Sequence, residues 1–356
     1  MAPPYKVALV MIARNEAARI VRALASARAC VDELVVLDTG STDATVALAR
    51  SAGARVGHFA WTDDFAAARN AALALADADW NVVVDADEWI AEAGVELLAL
   101  RHTAPEFVGQ LRVDSQFDTP TGLSVAPSWL PRVLPRGVRY EGRVHEQPRH
   151  ALPVRQWATV LAHDGYRAEA LQAKAGRNAA LLERALAQSP DDAYLHYQLG
   201  KDHDVYERYA EAAGHFARSR ACEAAGASAG VTLTGARPGW HHDRLVREIH
   251  ALKRCRRHAD AVMLAEAEMA AWAESPDFFF ALGDLLLDWA TEEPTRAAEL
   301  LPLIEQAWLR CLEIGERPQL EGSVAGRGST LAARNLVVLY ENTGRALEAL
   351  RFKQMH

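Results

Sequence analysis

The stretch Asn81-Val82-Val83-Val84-Asp85-Ala86-Asp87-Glu88 runs from a β-branched strand straight into three carboxylates. Two earlier runs have the same form: Val7 to Ile12 leads into Arg14-Asn15-Glu16, and Leu34 to Leu37 into Asp38-Thr39-Gly40-Ser41-Thr42-Asp43. Between them lie Ala-, Leu- and Arg-rich segments with helical spacing, so the first hundred residues read as repeated βαβ units. Continuous apolar strands imply a parallel sheet covered on both faces, and right-handed crossovers then bring the strand C-termini to one edge. Ligands of open α/β sheets bind at that edge. The polar residues after each strand are therefore the first candidates for function.

Bulk properties set the frame around this segment. A chain of 356 residues exceeds what one core usually supports, which predicts two domains. Half of the residues are hydrophobic and 24% are charged, as in ordinary globular proteins. The net charge of -8 and pI near 5.9 argue against nucleic acid as a partner. Cys30, Cys222, Cys255 and Cys311 stand singly, which reads as reduced thiols. The apolar run from Val7 to Ala13 is too short to span a bilayer and has no small-residue cleavage site after it. The expectation is a cytoplasmic protein without a membrane span.

From about 100 to 165 the pattern breaks at Pro105, Pro120, Pro127, Pro131, Pro135 and Pro153, predicting short extended pieces that complete a first domain over 1–166. The second domain, 167–356, reads as helical, interrupted at Gly226 to Gly239. Leu199-Gly200, Ala212 and Phe216 have the spacing of a tetratricopeptide repeat, in which small residues let paired helices approach. A looser copy begins at Phe279, Leu282 and Gly283 with an insertion near Pro294, and a third is expected from Tyr340, Gly344, Ala346 and Ala349. An unrelated helical bundle is the alternative. Stacked repeats commonly present a surface to peptides, so this half is expected to take a peptide or protein acceptor or to mediate self-association as a homo-oligomer. The glycine-rich loop Gly322 to Ser329 is an additional candidate contact.

Asp85 and Asp87, two residues apart beyond a strand, can share a hard divalent cation together with phosphate oxygens. Two other readings fail. Asp38-Thr39-Gly40-Ser41 spells an aspartic-protease tetrapeptide, but that chemistry needs two carboxylates sharing a proton, and the chain has one copy and no all-β pattern. A phosphatase-type Asp pair would continue with Gly and Thr after the first strand, whereas Glu88-Trp89 follow here after a later one. The first strand is not followed by GxGxxG, and no P-loop is present.

Taken together, Met11-Ile12-Ala13-Arg14-Asn15-Glu16, Asp32 to Asp43, Trp61 to Phe65, Ala68-Arg69-Asn70 and Asp85 to Glu88 resemble glycosyltransferase family 2 in order and spacing. Tyr140 to Glu146 and His163-Asp164-Gly165-Tyr166 resemble later blocks of the bacterial branch with a C-terminal tetratricopeptide region. The resemblance implies an α/β GT-A domain followed by an all-α tetratricopeptide-like domain. It implies a hexosyltransferase using a nucleoside-diphosphate sugar, a UDP-hexose first, and a divalent metal ion, Mn2+ or Mg2+, with inversion by direct displacement. It assigns the donor to Ala13, Arg14, Glu16, Asp38, Ser41, Arg69, Asp85 and Ala86, and the metal to Asp87, Asp85 and His163. The base that deprotonates the acceptor is Glu146 or Glu141, with Glu146 favoured. The reading from another class is a non-catalytic helical-repeat adaptor with a degenerate nucleotide-binding domain.

Overall fold

The computed structural model describes residues 4–119, 122–164, 176–228 and 238–353, and divides into two compact units, 1–177 and 178–356. In the first unit, strands β1 (Val7–Ala13), β2 (Glu33–Asp38), β3 (Arg55–His58) and β4 (Trp80–Val83) run parallel. Helices α1 (Ile20–Ala27), α2 (Thr45–Ser51) and α3 (Phe65–Ala76) connect them. β1, β2 and β4 are buried along their length, as their unbroken apolar runs require, whereas β3 is the edge strand with Arg55 and His58 exposed. Leu9, Met11, Val36 and Val82 pack with α1 on one side, whereas Val10, Val35, Leu37 and Val83 pack with α3 on the other.

Beyond β4 come β5 (Glu88–Glu92), β6 (Val108–Thr119), β7 (Gly122–Pro135) and β10 (Val154–His163), with a separate ribbon of β8 (Arg139–Glu141) and β9 (Gln147–Arg149). The sheet order is β3-β2-β1-β4-β7-β6-β10-β5. β7 is antiparallel to β4 and β6, β10 is parallel to β6, and β5 is antiparallel to β10. Here the structure corrects the expectation of short pieces between 100 and 165: β6 and β7 are 12 and 14 residues long. Pro127, Pro131 and Pro135 all lie within β7, and its ladder to β6 takes up an extra residue, Arg132, between Pro131 and Val133.

The connection from β4 to β5 fixes the shape of the sheet. Only Val84 to Asp87 separate the two strands, yet β7, β6 and β10 lie between them in the order. Five extended Cα steps reach at most about 17 Å, whereas four strand spacings of ~4.8 Å make about 19 Å across a flat sheet. The sheet must curl, and the acidic segment bridges its open side.

The second unit is helical: α4 (Arg177–Gln188), α5 (Ala193–Val205), α6 (Tyr209–Ser228), α7 (Trp240–Arg254), α8 (His258–Glu268), α9 (Pro276–Glu292), α10 (Ala297–Ile314), α11 (Thr330–Asn342) and α12 (Ala346–Lys353). The expected repeat contacts are present. A Cβ on Gly200 of α5 would lie 2.6 Å from the Phe216 ring of α6, so only glycine permits that approach. Gly283 of α9 stands in the same way against Trp308 of α10, and the insertion at Pro294 is a single 3-10 turn. The third copy is α11 and α12, joined through Gly344 at φ +75°. The interruption expected at Gly226 to Gly239 is narrower, because α6 continues to Ser228; residues 229–237 lie outside the described ones.

Candidate active site at the carboxyl edge of the sheet

The loops after β1 and β2 are laced to each other by side-chain caps. The Asn15 N–H donates to Ser41 Oγ at 2.9 Å and the Glu16 N–H to Thr45 Oγ1 at 2.7 Å, while the Thr42 N–H donates to Asn15 Oδ1 at 2.8 Å. Asn15 takes a φ of +56°, which Asn tolerates better than most side chains. The Ala13 carbonyl accepts from the Thr39 N–H at 2.9 Å. Asp38 is 4% exposed, and its carboxylate accepts from the Gly40 and Ser41 N–H groups. Burial pushes this carboxyl up, but hydrogen bonds from Ser41, Gly40 and His58 outweigh it and leave the group below its ordinary value. Arg14 is exposed above this layer.

The segment after β4 is a turn closed twice. The Glu88 N–H donates to the Asp85 carbonyl and the Asp85 N–H donates to Glu88 Oε2, both at 3.0 Å. Ala86 and Asp87 therefore occupy the two central positions. Glu88 is 3% exposed and Asp87 9%. Asp85 directs its two oxygens to Arg69 Nη2 at 2.8 Å and Arg132 Nη2 at 3.0 Å, and Arg132 also donates to Glu88 Oε1 at 2.5 Å. Burial disfavours the Asp85 carboxylate, but the two guanidiniums overcome that and hold its pKa well below the usual range. For Glu88, burial and the neighbouring Asp85 prevail over Arg132 and push the carboxyl up.

Arg69 joins this turn to a distant part of the sequence. It lies on α3, is 9% exposed, and ion-pairs with Glu146 as well as Asp85. Its neighbour Asn70 pairs with the backbone of Tyr140 in both directions, accepting from its N–H at 2.8 Å and donating to its carbonyl at 2.9 Å. The Phe65 N–H donates to the Arg143 carbonyl at 2.8 Å. The segments Phe65 to Asn70 and Tyr140 to Glu146 are therefore one structural piece.

His163 ends β10, where the register sets it opposite Glu88 on one side and Ser115 on the other. Its Nδ1 lies 3.2 Å from Ser115 Oγ and its Nε2 3.5 Å from Asp87 Oδ2. Among the described residues no three His, Cys, Asp or Glu side chains are grouped to hold a metal ion. Asp87 and His163 face each other, and Asp85 is turned to the arginines.

The structure thus gathers Arg69, Asp85, Ala86, Asp87, Glu146 and His163 into one cluster, with Ala13, Asp38 and Ser41 in the adjoining loops at the same sheet edge. Glu16 is half-buried beside Arg19, and Glu141 is exposed on β8. Sequence reasoning missed Arg132, Asn70 and the bracing role of Glu88. Arg132 stands among many arginines without a motif; Glu88 could have been found from its position three residues after Asp85, the spacing at which a carboxylate returns to a turn N–H.

A sequence profile described as Glycosyl transferase family 2 matches residues 8–150. A TPR repeat-containing protein of Synechococcus elongatus is 41% identical over 213 residues, which are 55% of this chain and 51% of that protein. The SPbeta prophage-derived glycosyltransferase SunS of Bacillus subtilis is 26% identical over 218 residues, 59% of this chain and 52% of that protein. The chain spans about half the length of these curated relatives. A glucosyl-3-phosphoglycerate synthase from Mycobacterium tuberculosis, crystallised with Mn2+, UDP and glucosyl-3-phosphoglycerate, is 26% identical over 33% of this chain and 46% of that one, with a TM-score of 0.26. So low a score lends the site no support. No helix among the described residues is long and apolar enough to cross a membrane.

Proposed function

Because residues 8–150 belong to glycosyl transferase family 2, we propose that the protein transfers a hexose from a nucleoside-diphosphate sugar to an acceptor nucleophile, inverting the anomeric centre in one displacement. The observation that carries the reading is the doubly closed turn that presents Asp87 opposite His163. A separation of 3.5 Å between Asp87 Oδ2 and His163 Nε2 is long for a hydrogen bond, yet it suits two ligands of one cation with bonds of ~2.0–2.2 Å. Ser115 at Nδ1 would orient the imidazole, as outer partners of metal-binding histidines do. Charge supports the fit: Asp85, Asp87, Glu88 and Glu146 are four carboxylates against the two guanidiniums of Arg69 and Arg132, which leaves two negative charges for Mn2+ or Mg2+ to balance.

When bound, the cation supplies Lewis-acid stabilisation of the departing diphosphate. Asp38 and the loop from Ala13 to Glu16 bind the nucleoside, and Ser41 holds that loop closed. Asp85, fixed by its arginines, orients the ribose side of the donor. Glu146 takes the proton from the acceptor, and Arg69 positions it through their ion pair.

A thermal-shift screen of UDP-, GDP- and dTDP-sugars with and without Mn2+ or Mg2+ tests the donor and the metal together, with UDP-hexose expected to give the largest metal-dependent shift. Asp87→Ala should abolish that shift without altering the fold; a retained shift would remove the metal assignment. Glu146→Gln should keep donor binding and lose most transfer, since an amide fills the same space but takes no proton. Should Glu141→Gln be the inactive variant instead, the base is Glu141. No metal-dependent shift with any donor would favour an adaptor role.

A further inference from the structure

The connection between α10 and α11, residues 315–329, is out of scale with its neighbours. Within the repeats, paired helices are joined by three residues, as at 206–208, 255–257 and 343–345. Helix connections in bundles usually take 2–8 residues, and loops beyond about 12 usually carry a function. This strap lies against α7 and the start of α9.

Its backbone is gripped by side chains that are almost wholly buried. His242, Asp277 and Ser275 are each 1% exposed. His242 Nδ1 lies 2.7 Å from the Glu321 carbonyl, which can only accept, so Nδ1 carries the proton. Nε2 then accepts from the Ser275 hydroxyl at 2.6 Å, and Ser275 Oγ accepts from the Phe278 N–H at 3.0 Å. Asp277 Oδ1 accepts from the Val324 N–H at 2.9 Å and from Arg327 at 3.0 Å. Between these anchors the Ser323 N–H donates to the Leu320 carbonyl at 3.1 Å, closing a β-turn with Glu321-Gly322 at its corner. Gly322 has φ +75°, and a Cβ there would overlap the Asp243 carboxylate.

The side chains of the strap fit less well than its backbone. Ser323 is 4% exposed and its hydroxyl has no hydrogen-bond partner. The Glu321 carboxylate makes no hydrogen bond or ion pair among the described residues; Lys201 attracts it and Asp243 repels it. A surface that satisfies the main chain of a turn and leaves the two polar side chains at its corner, Glu321 and Ser323, without partners is complementary to the turn rather than to those residues.

We propose that His242, Asp243, Ser275 and Asp277 form a recognition site for a β-turn of a protein partner with an uncharged residue followed by glycine at its corner, and that the strap from Leu320 to Arg327 occupies the site in cis. A tethered occupant acts at an effective concentration of order millimolar, so an outside segment binds weakly until the strap is loosened. An uncharged residue suits the place of Glu321 better than an unpartnered carboxylate, glycine passes Asp243, and an apolar residue suits the place of Ser323 better than serine.

The test uses the full chain in three forms: wild type, Gly322→Val, which cannot pass Asp243, and Val324→Pro, which lacks the N–H bound by Asp277. A fluorescent peptide of residues 316–329 is titrated at pH 8 and read by anisotropy, beside a scrambled peptide and copies carrying Glu321→Gln or Ser323→Ala. Both variants should bind the native-sequence peptide at least tenfold more tightly than wild type. The Glu321→Gln and Ser323→Ala peptides should bind more tightly still, and the scrambled peptide more weakly. Variants that keep their helical circular dichroism but bind no better than wild type, or bind the scrambled peptide equally, overturn the proposal. Loss of helical signal in both variants overturns it too, since the strap would then be part of the fold rather than an occupant.

Discussion

Replacing Arg132 by methionine separates two things the guanidinium does: it neutralises the acidic turn and it fills space under β7. Arg132 is 7% exposed and holds both Asp85 and Glu88, at 3.0 and 2.5 Å. Methionine keeps most of the volume and removes the charge. Asp85 retains Arg69, but buried Glu88 keeps only the Asp85 N–H as a hydrogen-bond donor, beside the weaker attraction of His163. Removing one partner of a buried pair costs about 3–5 kcal/mol, because the surviving charge is uncompensated. For a unit of this size that corresponds to roughly 6–20 °C in Tm. Urea unfolding should be followed by hydrogen exchange of peptides from β4 to β7, which reports on residues 1–177 independently of the helical unit. In the double variant Arg132→Met with Glu88→Gln the amide oxygen can still accept from the Asp85 N–H and no lone charge remains. At least half of the lost stability, about 2 kcal/mol, should return. A single variant that loses less than about 1 kcal/mol, or a double variant equal to the sum of the singles, would refute the idea that Arg132 is there for Glu88.

Gly200→Ala tests the first repeat: alanine gains about 1 kcal/mol of helix propensity, but its Cβ would press on the fully buried Phe216, at a cost of about 1–3 kcal/mol. A net loss of helical-unit stability is expected in urea, relieved by Phe216→Leu; stabilisation by alanine alone would remove the close-packing argument. Glu321 is pushed up to about 7 by burial and by Asp243, with Lys201 opposing. A carboxyl raised from its ordinary value of 4.5 gives full stability below that pH and loses it progressively as pH rises through about 7, on the order of 3 kcal/mol in all. Glu321→Gln should therefore match wild type near pH 4.5 and exceed it above pH 8 in thermal melts, and a pH-independent difference would count against the buried carboxylate.

The strands and the acidic turn were legible because both are local signals: apolar runs of fixed length, and carboxylates directly after them. The repeat helices were legible for a similar reason, since Gly200 and Phe216 sit at a fixed spacing in adjoining helices. The long hairpin was not. Pro127, Pro131 and Pro135 read as breaks, yet all three lie within β7, whose pairing with β6 and β4 is visible only once strand neighbours are known. The partners of Asp85 were hidden likewise. Arg69 and Arg132 come from α3 and β7; the block Ala68-Arg69-Asn70 singled out Arg69 for the donor but not as the partner of Asp85, and nothing in its spacing distinguishes Arg132 until the sheet curls. Asn70 illustrates the same limit, its partner Tyr140 being seventy positions away.

The place of β5 bears on when the molecule acquires its chemistry. β5 follows β4 at once in the chain, but its ladder partner is β10, and Glu88 meets its register neighbour only in His163. During synthesis β1 to β4 can pair as they emerge, whereas the edge strand has no ladder to join until residues 154–163 are made. The residues between must first form β6 and β7, a non-local arrangement that pays loop-closure entropy before any contact rewards it. A nascent chain stopped before β10 would carry every acid of the turn and none of the scaffold on its far side. The ladder that flanks the acidic turn on that side therefore depends on residues 154–163, the last strand of the first unit.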